Sequence, residues 1–304
     1  MSLKAPFPYF GGKSRVASLI WDKIDPVQSY VEPFGGSLAL YLHPRLPPER
    51  SLLNDLDGLL INFWRSVQKD PEGVALNAHA PISTLELQAR HNYVVRNAGD
   101  LVRSMASDPK YYDIEMAAYW LYARSTMIGG RLIFENEIGP RIPSLIPNGM
   151  HSKGRKDLVA VLHEISEHLK SALITCSSWE STLNKTSLYY KTPTFVFLDP
   201  PYPSTECDNG VYKHSEGVWK DVVGWCKEHQ DDPNLRIVLC GYEGTATLDG
   251  WECVRWHTQG GLASAYASEI GLSNAKRECV WFSPQCKANE IDPPLWYLMK
   301  TKAE

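Results

Sequence analysis

The sequence predicts an α/β fold, a mostly parallel sheet with helices on both faces, interrupted by a mostly helical insert. Three observations predict it. Two consecutive units near the start read strand, turn, helix; three short, nearly all-apolar runs recur after residue 170; and between 71 and 170 helical periodicity replaces strand patterning. At 304 residues the chain has room for one α/β domain and such an insert.

The first unit is Tyr30-Val31-Glu32-Pro33-Phe34-Gly35-Gly36, an apolar run ending in a glycine turn, followed by the helix-like Ser37-Leu38-Ala39-Leu40-Tyr41-Leu42. The second carries Ser51-Leu52-Leu53 into Asn54-Asp55 and then into helical spacing at Leu56, Leu59, Leu60, Phe63 and Trp64. Consecutive units of this kind imply parallel strands joined by crossover helices. Helical periodicity then runs over 85–105 and 115–124 and is broken by a Gly- and Pro-rich stretch over 129–154. Strand patterning resumes at 171–176, at Phe195-Val196-Phe197-Leu198-Asp199 and at Leu235-Arg236-Ile237-Val238-Leu239-Cys240, runs apolar enough for strands covered on both faces. A sheet domain over 1–70 and 171–304, surrounding an inserted domain over 71–170, follows.

Composition narrows the class. An apolar fraction of 43% with ten Trp and fifteen Tyr excludes a disordered chain. Seven cysteines form no CxxC pair and join no His cluster at ligand spacing, so neither a zinc site nor a disulfide framework is expected, and reduced thiols predict a cytoplasmic protein. No apolar run reaches membrane-span length and the N-terminus lacks a signal-peptide pattern, so a soluble protein without membrane association is expected. The net charge of −4 shows no overall basic footprint. Locally, residues 124–156 hold six basic side chains (Arg124, Arg131, Arg141, Lys153, Arg155, Lys156) against two acidic ones (Glu135, Glu137), which reads either as a binding face or as solvated surface.

Three motifs carry chemistry. Asp199-Pro200-Pro201-Tyr202 directly follows an apolar strand, and ligands of open parallel sheets bind at the carboxyl ends of strands. A carboxylate and a prolyl carbonyl on a stiff turn supply two acceptors for the two N–H bonds of an exocyclic amine, whose lone pair is otherwise delocalised into its ring. Tyr202 offers a flat ring to an extruded base. The same tetrapeptide also reads as a plain turn.

The second motif is Glu32-Pro33-Phe34-Gly35-Gly36, where glycine lets backbone approach a ligand. About twenty residues on stands Asp55, at the place of the acid that binds ribose hydroxyls in nucleotide sites; an ordinary helix N-cap is the other reading. The third is Tyr9-Phe10-Gly11-Gly12-Lys13-Ser14. It is not a triphosphate-binding P-loop, because the first glycine of that motif would fall on Phe7. A glycine loop, an aromatic and a lysine suit a zwitterionic amino acid joined to adenosine, or else a surface turn opening a helix over 15–24.

Together, Phe10-Gly11-Gly12-Lys13, Val31-Glu32-Pro33-Phe34 with Gly36, Asp55 and Asp199-Pro200-Pro201-Tyr202 resemble the Dam-like DNA adenine-N6 methyltransferases of the α group, particularly phage and prophage members. The likeness extends to the stretches 165–170, 239–243 and 277–282 and to the order of parts, a glycine-lysine motif, a cofactor loop, a long insert and then the DPPY motif. Residues 122–130 follow the family's Leu-Asn-Arg-x-x-Phe-Asn-Gly pattern only loosely, lacking both asparagines.

The resemblance implies a Rossmann-like methyltransferase domain and an insert that recognises the target. It implies S-adenosylmethionine as cofactor, without a metal, and double-stranded DNA as partner, with no obligate protein partner. It further implies that Tyr9, Phe10, Gly11, Gly12, Lys13, Glu32, Pro33, Phe34, Gly36 and Asp55 line the cofactor pocket, and that Asp199, flanked by Pro200, Pro201 and Tyr202, stands between cofactor and a flipped adenine. Arg124, Arg131, Arg141, Lys153 and Arg155, with Lys276 and Arg277 as a second group, are the candidate DNA contacts. An RNA adenine or DNA cytosine-N4 enzyme could use the same tetrapeptide, and a DNA-binding protein could keep the fold without turnover.

Overall fold

The structure, a computed structural model, describes residues 3–9, 11–43, 48–127, 134–143, 155–185, 192–202, 215–256 and 277–286. Among the described residues there are seven strands: β1 (Ser29–Glu32), β2 (Arg50–Asp55), β3 (Ala172–Cys176), β4 (Thr194–Leu198), β5 (Leu235–Tyr242), β6 (Glu252–Arg255) and β7 (Glu278–Phe282). Their order is β3-β2-β1-β4-β5-β7-β6. Among the described residues the helices are α1 (Ala17–Asp22), α2 (Gly58–Lys69), α3 (Pro71–Ala78), α4 (Thr84–Ser107), α5 (Ile114–Thr126), α6 (Arg155–Leu169), α7 (Trp179–Lys185) and α8 (Ser215–His229). By compactness the chain divides into two units, one of Met1–Ser14, Gly36–Pro47 and Leu53–Ser178, the other of Arg15–Gly35, Pro48–Leu52 and Trp179–Glu304.

In the second unit β1, β4 and β5 run parallel, with Val31 opposite Val196 and Leu198 opposite Leu239. All residues of β1 and β4 are buried, which is why these strands read as unbroken apolar runs. Alternate side chains serve opposite faces. Val31, Val196, Leu198, Ile237 and Leu239 pack with Trp179 and Leu183 of α7 and Trp219, Val222 and Cys226 of α8. On the other face Trp21 of α1 lies 5.8 Å from the Tyr30 ring and 5.1 Å from that of Phe195. The sheet is therefore doubly wound. Strand order reverses between β1 and β4, since β2 and β3 extend one way from β1 and β5 extends the other way from β4. At the start of β5 the half-buried Arg236 guanidinium grips both oxygens of Asp25, at 2.8 and 2.7 Å. The sheet ends in antiparallel pairs, β7 lying between β5 and β6 and running against both.

In the first unit each helix of the series α2 to α5 opens on an oxygen-bearing cap. Asp57, Asp70, Ser83 and Asp113 accept backbone N–H bonds at the starts of α2, α3, α4 and α5. The helices share a core built on aromatic residues: the Phe7 ring centre is 5.3 Å from Phe63, 5.6 Å from Trp64 and 4.9 Å from Trp120. Helix α6 buries Leu158, Leu162, Ile165 and Leu169 at helical spacing, and Gln68 of α2 donates to the carbonyls of Leu169 and Ala172. Asn54 at the end of β2 accepts from Thr175 and from the backbone and hydroxyl of Ser177, and donates to the Ser177 carbonyl.

The helices expected over 85–105 and 115–124 are α4 and α5, each slightly longer than the periodicity indicates. The helix expected over 37–42 does not form. Leu38 has φ 51°, a left-handed backbone that a right-handed helix cannot pass through, and the segment makes a single turn closed by Leu42 N to Leu38 O at 2.9 Å. Its apolar residues Leu38, Leu40, Tyr41 and Leu42 are all buried, so the apolar pattern reports burial rather than helicity.

Candidate functional site

One group of site residues lies at the rim of the doubly wound sheet. Because β1 and β4 are hydrogen-bonded and parallel, the turns after Glu32 and after Leu198 leave from the same end of adjacent strands, at the point where strand order reverses. Glu32 is buried and accepts the Tyr30 hydroxyl at 2.9 Å. Pro33 is buried, and Phe34 stacks on Trp179 with ring centres 6.3 Å apart.

After β4, Pro200 is buried while Asp199, Pro201 and Tyr202 are half-buried. The Tyr202 hydroxyl donates to the Asp199 carboxylate at 3.2 Å. Burial, with the Asp199 carboxylate adding to it, holds the Tyr202 hydroxyl well above the usual phenol range, so it remains a donor. The Tyr202 ring is framed edge-on by Tyr242, 4.6 Å away at the end of β5, and by Trp219 of α8 at 6.0 Å. Trp219 approaches so closely that a Cβ on Gly241 would fall 2.3 Å from its Cη2. Arg277 lies 6.0 Å from the Tyr242 ring centre and donates to the Glu243 carbonyl.

A second group lies in the first unit. Gly36 has φ 48°, and a Cβ there would stand 2.8 Å from Cε1 of Tyr9. Its N–H donates to Asp55 at 2.8 Å and its carbonyl accepts the Trp64 indole N–H at 3.0 Å. The other Asp55 oxygen accepts from the backbone of Asp57 at 2.9 Å, so the carboxylate bridges two loops. Burial pushes Asp55 up to about 6, against the lowering pull of the Asp57, Gly36 and Leu56 N–H groups. Asp55 is not itself the cap of α2; that cap is Asp57, whose carboxylate accepts from Leu59 and Leu60. In the glycine loop Gly11 has φ 75° and Lys13, which is buried, donates to the Gly11 carbonyl at 2.7 Å; a Cβ on Gly12 would meet the Tyr9 carbonyl at 3.4 Å.

Of the candidate DNA contacts, Arg124 lies over the rings of Tyr9 and Trp120, at 5.5 and 5.4 Å from their centres. Arg141 is exposed beside Ile142, which is 76% exposed. The segment bearing them is tied to α4, where Asn92 exchanges hydrogen bonds with the backbone of Ile138 and Arg96 pairs with both oxygens of Glu137. Phe10, Arg131, Lys153 and Lys276 lie outside the described residues, as does the side chain of Arg155. Sequence reasoning passed over Trp64, Trp219, Tyr242 and Asp57. For Tyr242 a signal existed, since it ends the strand parallel to β4 and so shares its rim.

A sheet that reverses its order at β1 and β4 and carries an acidic, proline-stiffened turn at that rim defines a class, the Rossmann-like methyltransferases. The chain belongs to the D12 class N6 adenine-specific DNA methyltransferases, whose family model matches residues 9–221. It methylates adenine in DNA. Among its relatives are the Type II methyltransferase M.CviBI of Paramecium bursaria Chlorella virus NC1A, 24% identical over 68% of this chain and 72% of the relative, and the Type II methyltransferase M1.LlaDCHI of Lactococcus lactis subsp. cremoris, 24% identical over 69% and 70%. Among the described residues no helix is long and apolar enough to cross a membrane.

Proposed function

We propose that the chain transfers the methyl group of S-adenosylmethionine to the N6 nitrogen of an adenine flipped out of double-stranded DNA, with Asp199 and the Pro200 carbonyl holding the amino group and the insert over 71–170 recognising the target. The observation that carries this reading is that Glu32–Gly36 and Asp199–Tyr202 leave the same end of adjacent parallel strands at the sheet's reversal point. The cofactor-side residues fit an adenosyl amino acid: a glycine loop, Gly36 with no room for a side chain beside Tyr9, and an acid at the end of β2, the chemistry that accepts ribose hydroxyls. When bound, S-adenosylmethionine supplies a methyl group made electrophilic by its sulfonium.

The chain's own residues then do three things. Tyr202 gives the extruded base a ring to stack on and, through its hydroxyl, fixes the rotamer of Asp199. Asp199 and the Pro200 carbonyl accept the two amino N–H bonds, which draws the nitrogen toward a pyramidal shape with its lone pair available. Asp199 is placed to take the surplus proton of the methylated amine and pass it to water. Holding the reacting atoms in line and excluding water supply the rate. Tyr9, Lys13, Glu32, Phe34, Gly36 and Asp55 are the residues we assign to cofactor binding, and exposed Arg141 with half-buried Arg277 those we assign to DNA.

Asp199→Ala tests the reading. Tritium transfer from labelled S-adenosylmethionine to duplex DNA is expected to fall at least about a thousandfold, with the melting temperature nearly unchanged. Substantial residual turnover would refute the role of Asp199. Single-stranded DNA and RNA in parallel reactions define the substrate.

A further inference from the structure

We infer that Arg124 is a positioning residue for the cofactor pocket, a guanidinium on α5 that clamps the Tyr9 ring against Gly36. The inference rests on the proposed reading of Tyr9 and Asp55 as cofactor-binding residues. Arg124 is half-buried, its guanidinium carbon 5.5 Å from the Tyr9 ring centre and 5.4 Å from that of Trp120, which is 2% exposed. An arginine that reads phosphates extends into solvent; this one lies over two rings. Tyr9 is in turn pressed toward Gly36, where a Cβ would come within 2.8 Å of it.

The contacts close into a circuit. Gly36 N–H donates to one oxygen of Asp55, the other oxygen accepts from Asp57, and the Arg124 charge bears on the Asp57 carboxylate, opposing the upward push of its burial. Arg124 thus holds Tyr9 from the ring side and steadies the Asp55–Asp57 loop by its charge. The planar, weakly hydrated guanidinium can stack on the ring, which lysine's compact ammonium cannot. Since α5 belongs to the insert, a helix of the target-recognition segment takes part in shaping the cofactor side.

The test uses the whole chain with Arg124→Met, Arg124→Lys, Tyr9→Ala and the Arg124→Met/Tyr9→Ala double variant. Binding of labelled S-adenosylmethionine is measured by equilibrium dialysis without DNA, binding of duplex DNA is measured without cofactor across a salt series, and initial rates give KM and kcat. Arg124→Met is expected to raise the Kd and KM for S-adenosylmethionine about tenfold with kcat changed far less. The double variant should bind cofactor no worse than the weaker single one, because both remove the same contact. DNA affinity and its salt dependence should match the unaltered chain. Unchanged cofactor binding, with weaker DNA binding and a salt slope reduced by about one, would overturn the inference and make Arg124 a phosphate contact. If Arg124→Met does not fold, Arg124→Lys decides by the same two readouts. Failure of the unaltered chain to bind S-adenosylmethionine is a different result, which sinks the cofactor reading instead.

Discussion

Replacing Asp55 by Asn separates what the carboxylate does through its charge from what it does through its shape. Both Asp55 oxygens accept backbone N–H bonds, from Gly36 and Asp57, whereas an asparagine of the same outline can serve only one of these donors. Absolute stability therefore mixes a lost bond with a relieved charge, and dependence on pH is the cleaner signal. In the folded chain burial raises Asp55 from 3.8 to about 6, so the native state holds this proton more tightly than the unfolded state. That contribution to stability is fully present below the unfolded value and is lost as pH rises through about 6. The stability of the unaltered chain relative to Asp55→Asn should fall between pH 4 and 7, by at most about 3 kcal/mol, read from urea unfolding at a series of pH values.

Ribose hydroxyls donate better to a carboxylate than to an acid, so binding of S-adenosylmethionine should have the opposite slope. With a value of about 6 the ionised fraction drops roughly tenfold from pH 7 to pH 5, and the Kd should rise by about that factor, while Asp55→Asn binds weakly with a flat profile. Calorimetric titration at each pH measures this. Equal slopes in the two proteins would refute the assignment of Asp55 as the ribose ligand.

Gly36→Ala places a methyl group 2.8 Å from the Tyr9 ring on a left-handed backbone, and should weaken cofactor binding at least about tenfold while shifting the melting temperature only a few degrees. For Gly241→Ala the new Cβ meets Trp219 at 2.3 Å and Trp281 at 2.9 Å, so overpacking should cost about 1–3 kcal/mol in denaturant unfolding. Tyr202→Phe keeps the ring and loses the 3.2 Å bond to Asp199; kcat should fall several-fold with DNA affinity intact, whereas Tyr202→Ala should also weaken capture of the base, read by 2-aminopurine fluorescence at the target position.

The legible parts of the fold were those whose surroundings are uniform. Strands β1, β4 and β5 are buried on both faces and so announce themselves as apolar runs. Strand β6 did not, because Glu252, Cys253 and Arg255 are exposed at the sheet's margin and nothing in Glu-Cys-Val-Arg alternates. The residues 37–42 misled for the opposite reason: all but Ser37 are apolar, but a left-handed Leu38 forbids the helix they suggest. At the site, motifs bounded by glycine or proline were readable, since those residues fix local backbone. The partners of the motifs were not. Trp64 donating to Gly36, Tyr242 and Trp219 framing Tyr202, and Arg124 resting on Tyr9 join residues 28, 40, 17 and 115 positions apart, and local periodicity carries no information at such separations.

The antiparallel strand β7 sits between β5 and β6 although it is made after both. During synthesis β5 emerges with one edge unsatisfied and keeps it until residues 278–282 leave the ribosome and slot in. That edge belongs to the strand ending in Tyr242, the neighbour of Tyr202. The flank beside the turn that carries Asp199 and Tyr202 thus waits on a late insertion, and nascent chains stalled before that point would expose a sticky edge to one another.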